Sequence, residues 1–365
     1  MRIASDQLYD QLARGLRNHL TNLAEITNQL ATGKKTAKPS DDVLGTLKAM
    51  DYKLTISHND QYAQNITEAI TFLNFNDTVL DQASTALTSL KKMTSFGGGG
   101  VTDTERSSYA FQAADLRDLL LDLSNSQFED RYIYSGFLSD EKAYVFDSAT
   151  NQYVYQGDSG QFSLPIDKDM DQTINFVGSS DDSSKTTAFS YTLPAPETTT
   201  LADGSLVTYT AVADPAHNAT TIEVQITHPD HPGDPSYEDT FSFSNFMDMA
   251  NILNHAWQYE DIDGTTSLTQ SKSVNRIEAL AIPLEKAAEQ VLAVRGELGT
   301  RQVHLNDQKT RLEVDTVNQK NNLTETEEAS MDETIIELQT IMTNLNALRS
   351  ASSRILSQSL FDFLR

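Results

Sequence analysis

Two seven-residue apolar rhythms, one at each end of the chain, constrain its fold more than anything between them. Near the start, Tyr9, Leu16, Leu23 and Leu30 are seven residues apart, and Leu12, His19 and Ile26 follow the first three of them by three. Near the end, Leu338, Ile341, Leu345, Leu348 and Ile355 keep alternating steps of three and four, interrupted only by the small Ser352. A helix with this period shows one apolar seam and needs a helical partner to cover it. Neither segment is long enough to be stable alone in water, because a lone helix is held mainly by burial of its apolar face. The two ends are therefore expected to pack on each other.

The rest of the chain punctuates itself. A first helix is expected from about Ser5 to Thr32, stopped by Gly33, with Lys34 and Lys35 beside its carbonyl end. In Lys38-Pro39-Ser40-Asp41-Asp42 the proline keeps its predecessor out of helical geometry, Ser40 is expected to cap, and the aspartates suit the positive end of the next helix dipole. That helix should run about fifty residues from Val43, with Ile66, Leu73, Leu80 and Leu87 on its seam and Ala69, Ala83 and Leu90 between them. It ends at the glycine run 97–100, after which Thr102 and Glu105 form a capping box for a third helix facing inward through Tyr109, Ala113, Leu116, Leu120 and Leu123.

After Asn125 the helical period fades. Tyr153-Val154-Tyr155, Thr173–Val177, Ala188–Leu193, Ser205–Val212 and Thr220–Thr227 read as strands of a small antiparallel β domain. Phe241–Glu260, which holds the single tryptophan, Trp257, returns to a helical pattern. From about Thr266 the chain is helical again through Val274, Ile277, Leu280 and Leu284, then Val291, Leu292, Leu298, Leu305 and Leu312, with a kink or fresh start near Pro283. The fold class is thus mainly α with a β insertion (α+β): a long helical hairpin with paired N- and C-terminal helices. Its expected divisions are 1–38 plus 329–365, 39–136 plus 266–328, and 137–265.

Charge narrows the functional classes. The net charge is −25, and 137–265 with its flanking glycine carries most of it: between Gly136 and Thr265 there are 21 Asp and Glu against 3 Lys. The first 38 residues hold 6 Lys and Arg against 3 acidic residues. Nucleic acid, which is bound by basic surfaces that release counterions, is excluded as a partner. An acidic middle between near-neutral ends suits a solvated middle and ends that tolerate other copies of themselves. Without cysteine there is neither a disulfide nor a thiolate metal site. No apolar run reaches the roughly 18 residues of a membrane span, so no membrane insertion is expected. The N-terminus lacks the continuous hydrophobic centre of a cleaved signal peptide.

Every chemical motif has a plainer reading. Asp41 and Asp42 lack further ligands, and the glycine run lacks the Gly-Lys-Ser/Thr ending of a phosphate loop. Asp167, Asp169 and Asp171 begin like a calcium loop, but Gln172 stands where glycine is needed and Gly178 where a bidentate glutamate is needed. Gly157-Asp158-Ser159-Gly160-Gln161 departs from a nucleophile elbow at its fifth position. His228 and His231, with Asp230, offer two imidazoles for a divalent metal, against a polar surface loop as the simpler reading. His19 reads as a core or interface histidine whose protonation loosens the coil. No catalytic constellation, cofactor site or metal site is expected.

Taken jointly, six segments form a recognisable series: 30–35 (Leu-Ala-Thr-Gly-Lys-Lys), 38–42, 131–136 (Arg-Tyr-Ile-Tyr-Ser-Gly), 155–158, 295–301 (Arg-Gly-Glu-Leu-Gly-Thr-Arg) and 357–362 (Ser-Gln-Ser-Leu-Phe-Asp). In order and spacing the chain resembles the bacterial flagellin family over its whole length, and within it the hook-associated members. The resemblance implies a structural protein, not an enzyme, exported by the flagellar type III apparatus with a chaperone. It implies a homo-oligomer in a helical array, next to a hook-associated protein and filament flagellin, with the ends forming an inner tube. The assembly interface then comprises Tyr9, Leu12, Leu16, Leu23, Ile26, Leu30, Leu338, Ile341, Leu345, Leu348 and Ile355, and the acidic insertion should be removable. Alternatives are filament flagellin itself, or from another class an exported coiled-coil adhesin or translocator whose β domain binds a receptor.

Overall fold

The computed structural model describes residues 2–36, 38–97, 100–180, 187–191, 196–214, 217, 219–235, 237–264 and 266–363; for 2–6, 8, 9 and 354–363 it describes backbone alone. In chain order the helices are α1 (Arg2–Thr32), α2 (Val43–Thr94), α3 (Asp103–Ser124), α4 (Phe246–Trp257), α5 (Gln270–Ala279), α6 (Ala281–Glu327) and α7 (Met331–Phe363). The strands are β1 (Gln127–Phe128), β2 (Arg131–Tyr132), β3 (Tyr144–Asp147), β4 (Gln152–Tyr155), β5 (Ser163–Asp167), β6 (Met170–Thr173), β7 (Glu197–Thr200), β8 (Leu206–Asp214), β9 (Ala219–Thr227) and β10 (Asp239–Phe243). The chain divides into two compact units, 1–62 with 310–365, and 63–309.

In the first unit α1 packs on α7. Gly33 ends α1 in the left-handed region (φ 69°), where a side chain is disfavoured, and its N–H closes on the Gln29 carbonyl. The next residues pair with the link between α6 and α7: Lys35 N–H donates to the Glu327 carbonyl at 2.9 Å and Ala329 N–H to the Gly33 carbonyl at 2.9 Å. The cap of α2 differs from the sequence expectation. The helix begins at Val43 as expected, but Asp41 N–H closes a turn on the Lys38 carbonyl, and Asp42 rather than Ser40 caps α2, accepting from Gly45 N–H at 2.9 Å. Ser40 instead donates to Asp41.

The second unit buries the long-helix seam as its spacing requires. Ile66, Leu73, Leu80 and Leu87 of α2 are fully buried, as are Ala113 and Leu120 of α3 and Leu284, Val291 and Leu305 of α6. Leu292, counted with the seam from sequence, lies one residue off it and is 55% exposed. Arg295 of α6 clamps Asp77 and Asp81, four apart on α2, at 2.8 and 2.7 Å. The capping box of α3 forms as expected from Thr102 and Glu105. A fresh helix start does occur beside Pro283, with Leu280 capping α5 and α6 beginning at Ala281.

A four-stranded antiparallel sheet runs β10-β9-β8-β7, and β1–β2, β3–β4 and β5–β6 are separate hairpins. Val207 and Tyr209, Ile222, Val224 and Ile226, and Phe241 and Phe243 alternate inward on the sheet. Three sequence expectations are corrected. Of Thr173–Val177 only Thr173 lies in a strand, as the end of β6, because beyond it the Asn175 side chain takes the bonds a ladder would make: it accepts from Phe162 N–H at 2.7 Å and donates to the Gly160 carbonyl at 3.0 Å. The described part of Ala188–Leu193 is not one either; residues 188–191 are buried without alternation, and Phe189 and Ser190 N–H both donate to the Gly178 carbonyl. The helical reading of Phe241–Glu260 starts five residues early, since Phe241 and Phe243 belong to β10 and Asn245 caps α4.

The β insertion is also tied to the helices more firmly than its composition suggested. Arg106 of α3 is buried, donating to the Ala256 carbonyl at 3.0 Å and to Ser273 Oγ at 2.6 Å, with its guanidinium over the rings of Tyr259 and Trp257. Tyr109 packs on Trp257 with centroids 4.9 Å apart, and Arg117 reaches Asn251 at 3.0 Å. Arg276 of α5 is buried between Asp239 of β10 and Asp261.

Candidate assembly interface

The α1–α7 pair brings six of the expected interface residues into one cluster. Ile26, Ile341 and Leu345 are buried, and Leu23, Leu30 and Leu338 pack against them half-buried. Of the others, Leu12 and Leu348 are half-buried and Leu16 is exposed. The side chains of Tyr9 and Ile355 lie outside the described residues. The cluster is narrow, because two helices can meet along only one stripe each, so the three core residues keep 6–9% exposure where the α2 seam keeps none. Outside the stripe Leu20 is 47%, Ile336 64% and Met342 53% exposed. His19 sits half-buried on the seam, and its Nδ1 is buried without a hydrogen-bond partner among the described residues.

Charge fastens the top of this pair. Glu327, the last residue of α6, takes Lys34 at 2.5 Å and Lys53 of α2 at 2.5 Å. The hydrogen bond from Lys34, followed by that from Lys53, holds its carboxyl below the ordinary carboxylate range. Lys35 adds a bond to the Glu325 carbonyl. The two lysines after Gly33 thus act less on the α1 dipole than as a clip across to the α6–α7 link.

One apolar face escaped the sequence reading. Val43, Leu47, Met50 and Leu54 at the start of α2 are 59, 58, 54 and 60% exposed, at steps of four, three and four. Their heptad spacing was visible, but the buried seam through Ile66, Leu73, Leu80 and Leu87 runs on a different register. On α6, Val314 and Val317 are also exposed.

The remaining candidates for chemistry resolve into structure. Both ring nitrogens of His228 are engaged, Nε2 with the Asp203 carbonyl at 3.3 Å and Nδ1 with Asp230 N–H at 3.2 Å, leaving neither for a metal. Its loop is not merely a polar surface: His228 is buried, and His231 stacks on Tyr237 at 4.5 Å. Asp167 accepts from Gln308 at 2.7 Å at the start of the β5–β6 turn. Among the described residues no three His, Asp or Glu side chains are grouped to hold a metal ion, and no helix is long and apolar enough to cross a membrane.

Comparison with known proteins gives a consistent picture. Residues 3–138 match the family model of the bacterial flagellin N-terminal helical region. Flagellar hook-associated protein 3 of Salmonella typhimurium is 33% identical over 155 residues, covering 42% of this chain and 48% of that protein. Flagellar hook-associated protein 3 of Escherichia coli is 27% identical over 49% of this chain and 56% of its own length. The match therefore spans about half the length of these curated relatives. The crystal structure of flagellar hook associated protein-3 from Legionella pneumophila shares the fold, with a TM-score of 0.54 at 17% identity over 75% of this chain and 97% of that one.

Proposed function

We propose that this chain, which carries a flagellin-type N-terminal region and resembles flagellar hook-associated protein 3, is a structural component of the bacterial flagellum that joins hook to filament. The observation that carries the reading is the α1–α7 pair. Among the described residues its seam closes over six and leaves Leu20, Ile336 and Met342 in water, so burial is completed when further copies dock against it. In this reading 1–38 with 329–365 form the inner tube, 39–136 with 266–328 the rod layer, and 137–265 the acidic outer surface. Copies form a helical array bounded by another hook-associated protein and by filament flagellin. The chain leaves the cell through the type III apparatus, an export chaperone covering its apolar ends until assembly. Its role is mechanical, and no residue is assigned a catalytic part.

The test is a charge placed on the seam. Leu345→Asp, or Leu23→Asp, puts a carboxylate into the apolar cluster that holds α1 to α7, at a cost of at least about 2 kcal/mol, and so disrupts the paired face on which further copies would dock. Secretion should persist, while the variant is absent from purified hook-filament junctions and cells do not swim. Normal swimming by either variant defeats the reading.

A further inference from the structure

The exposed ridge on α2 has a counterpart elsewhere in the same chain. A groove of about 700 Å³ lies where the β1–β2 and β5–β6 hairpins meet α2. Phe72, Phe128, Leu164 and Ile174 line it with half-buried apolar surface. Phe128 is fixed edge-on against Phe72 at 5.5 Å, and the hairpin that carries it turns through Glu129 and Asp130, both in the left-handed region (φ 50° and 63°). The wall is therefore preformed, and its size falls within the about 300–1,000 Å³ typical of binding concavities.

The charges at the two surfaces are complementary. Beside the ridge, on one flank of α2, stand Lys48 and Asp51, one turn apart; around the groove stand Glu68, Glu129 and Arg131. None of these five has a side-chain ion pair among the described residues. A ridge with one cation and one anion on its flank meets a groove with anions and one cation on its rim. Leu47 and Phe72 lie 25 residues apart along α2, the ridge in the first compact unit and the groove in the second.

We infer that the Val43–Leu54 ridge of one copy docks into the Phe72–Phe128 groove of a second copy, with Lys48 toward Glu68 or Glu129 and Asp51 toward Arg131. This contact is separate from the α1–α7 seam, although its place in a flagellum rests on the function proposed above. It joins two different patches, so each copy keeps a free ridge and a free groove after docking. Contacts of that kind extend into open arrays or rings and do not stop at a dimer.

The absence of cysteine makes the contact directly readable. Full-length Leu47→Cys is mixed under mild oxidation with full-length Glu68→Cys and, separately, with Thr71→Cys, all at exposed positions. A disulfide-linked heterodimer should form in at least one mixture, at ten-fold or greater yield over either variant alone. Asp51→Lys and Arg131→Glu, introduced singly on their respective partners, should each lower that yield several-fold, and introduced together should restore it. A Leu47→Cys homodimer as the main product would show the ridge meeting itself and overturn the inference. So would the absence of any heterodimer at hundred-micromolar concentration. Cross-linking is read on the isolated chain, so it reports on ridge and groove whether or not Leu345→Asp is lost from junctions.

Discussion

At the scale of single residues, the sharpest case is Asp248, three residues after the Asn245 cap of α4. Its carboxyl accepts from Tyr153 N–H at 2.7 Å, Ser244 N–H and Oγ at 3.1 Å, and Asn245 Nδ2 at 2.9 Å. Burial outweighs those four donors and pushes its pKa up to about 6 from the ordinary 3.8. A carboxyl raised on folding favours the folded state most when protonated. Its contribution is complete below about pH 4 and is lost as pH rises through about 6, an effect on the order of 3 kcal/mol. From pH 7 to pH 4, wild type should therefore gain about 2–3 kcal/mol relative to Asp248→Asn, measured by urea unfolding at each pH. Parallel pH profiles for the two proteins would show that the four donors cancel the cost of burial.

Among the elements, α4 decides how separable the acidic middle is. Composition marks 137–265 as a detachable outer part, and its charge does fit solvent. Yet α4 lies within that span and covers α3, with Trp257 over Arg106 and Tyr109. Replacing Ser139–Asp261 by a short flexible linker would leave Arg106, Ala110, Ala113 and Leu120 without their cover. Returning such buried apolar surface to water costs several kcal/mol, at roughly 25 cal/mol per Å². Such a deletion should lower the melting temperature by at least about 10 °C by calorimetry, where removal of a detachable domain leaves the helical transition in place. An unchanged transition would return the insertion to the status its composition suggested.

For the whole molecule, burial is unevenly spread between the two units, and stability should follow it. The second unit has complete seams on α2 and α6, whereas the first holds α1 to α7 through a cluster with three buried residues, at 6–9% exposure. Local opening is easiest where few apolar contacts must be broken. In the isolated monomer, backbone amides around Leu23 and Leu345 should exchange with deuterium at least a hundred-fold faster than those around Leu80, and should become protected on assembly. Equal protection before assembly would mean that α1 and α7 dock as an already rigid pair.

The heptads of Leu23, Leu345 and Leu80, the stop at Gly33 and the Thr102–Glu105 box were all legible in the sequence, because each depends on spacing along one helix or on one backbone angle. The cap of α2 was not, since choosing Asp42 over Ser40 required knowing that the Lys38–Asp41 turn would close first. Nor were the false strands at 174–177 and 188–191, where β-prone residues are largely buried and side chains of distant segments, Arg301 and Gln290, take backbone carbonyls. The pairing of α1 with α7 follows from two matching stripes; that the pair remains half-open, and that α2 shows a ridge and a groove on one chain, does not. A one-dimensional pattern states which residues must leave water. Only the tertiary arrangement decides which of them find cover within their own chain and which are left for a neighbour.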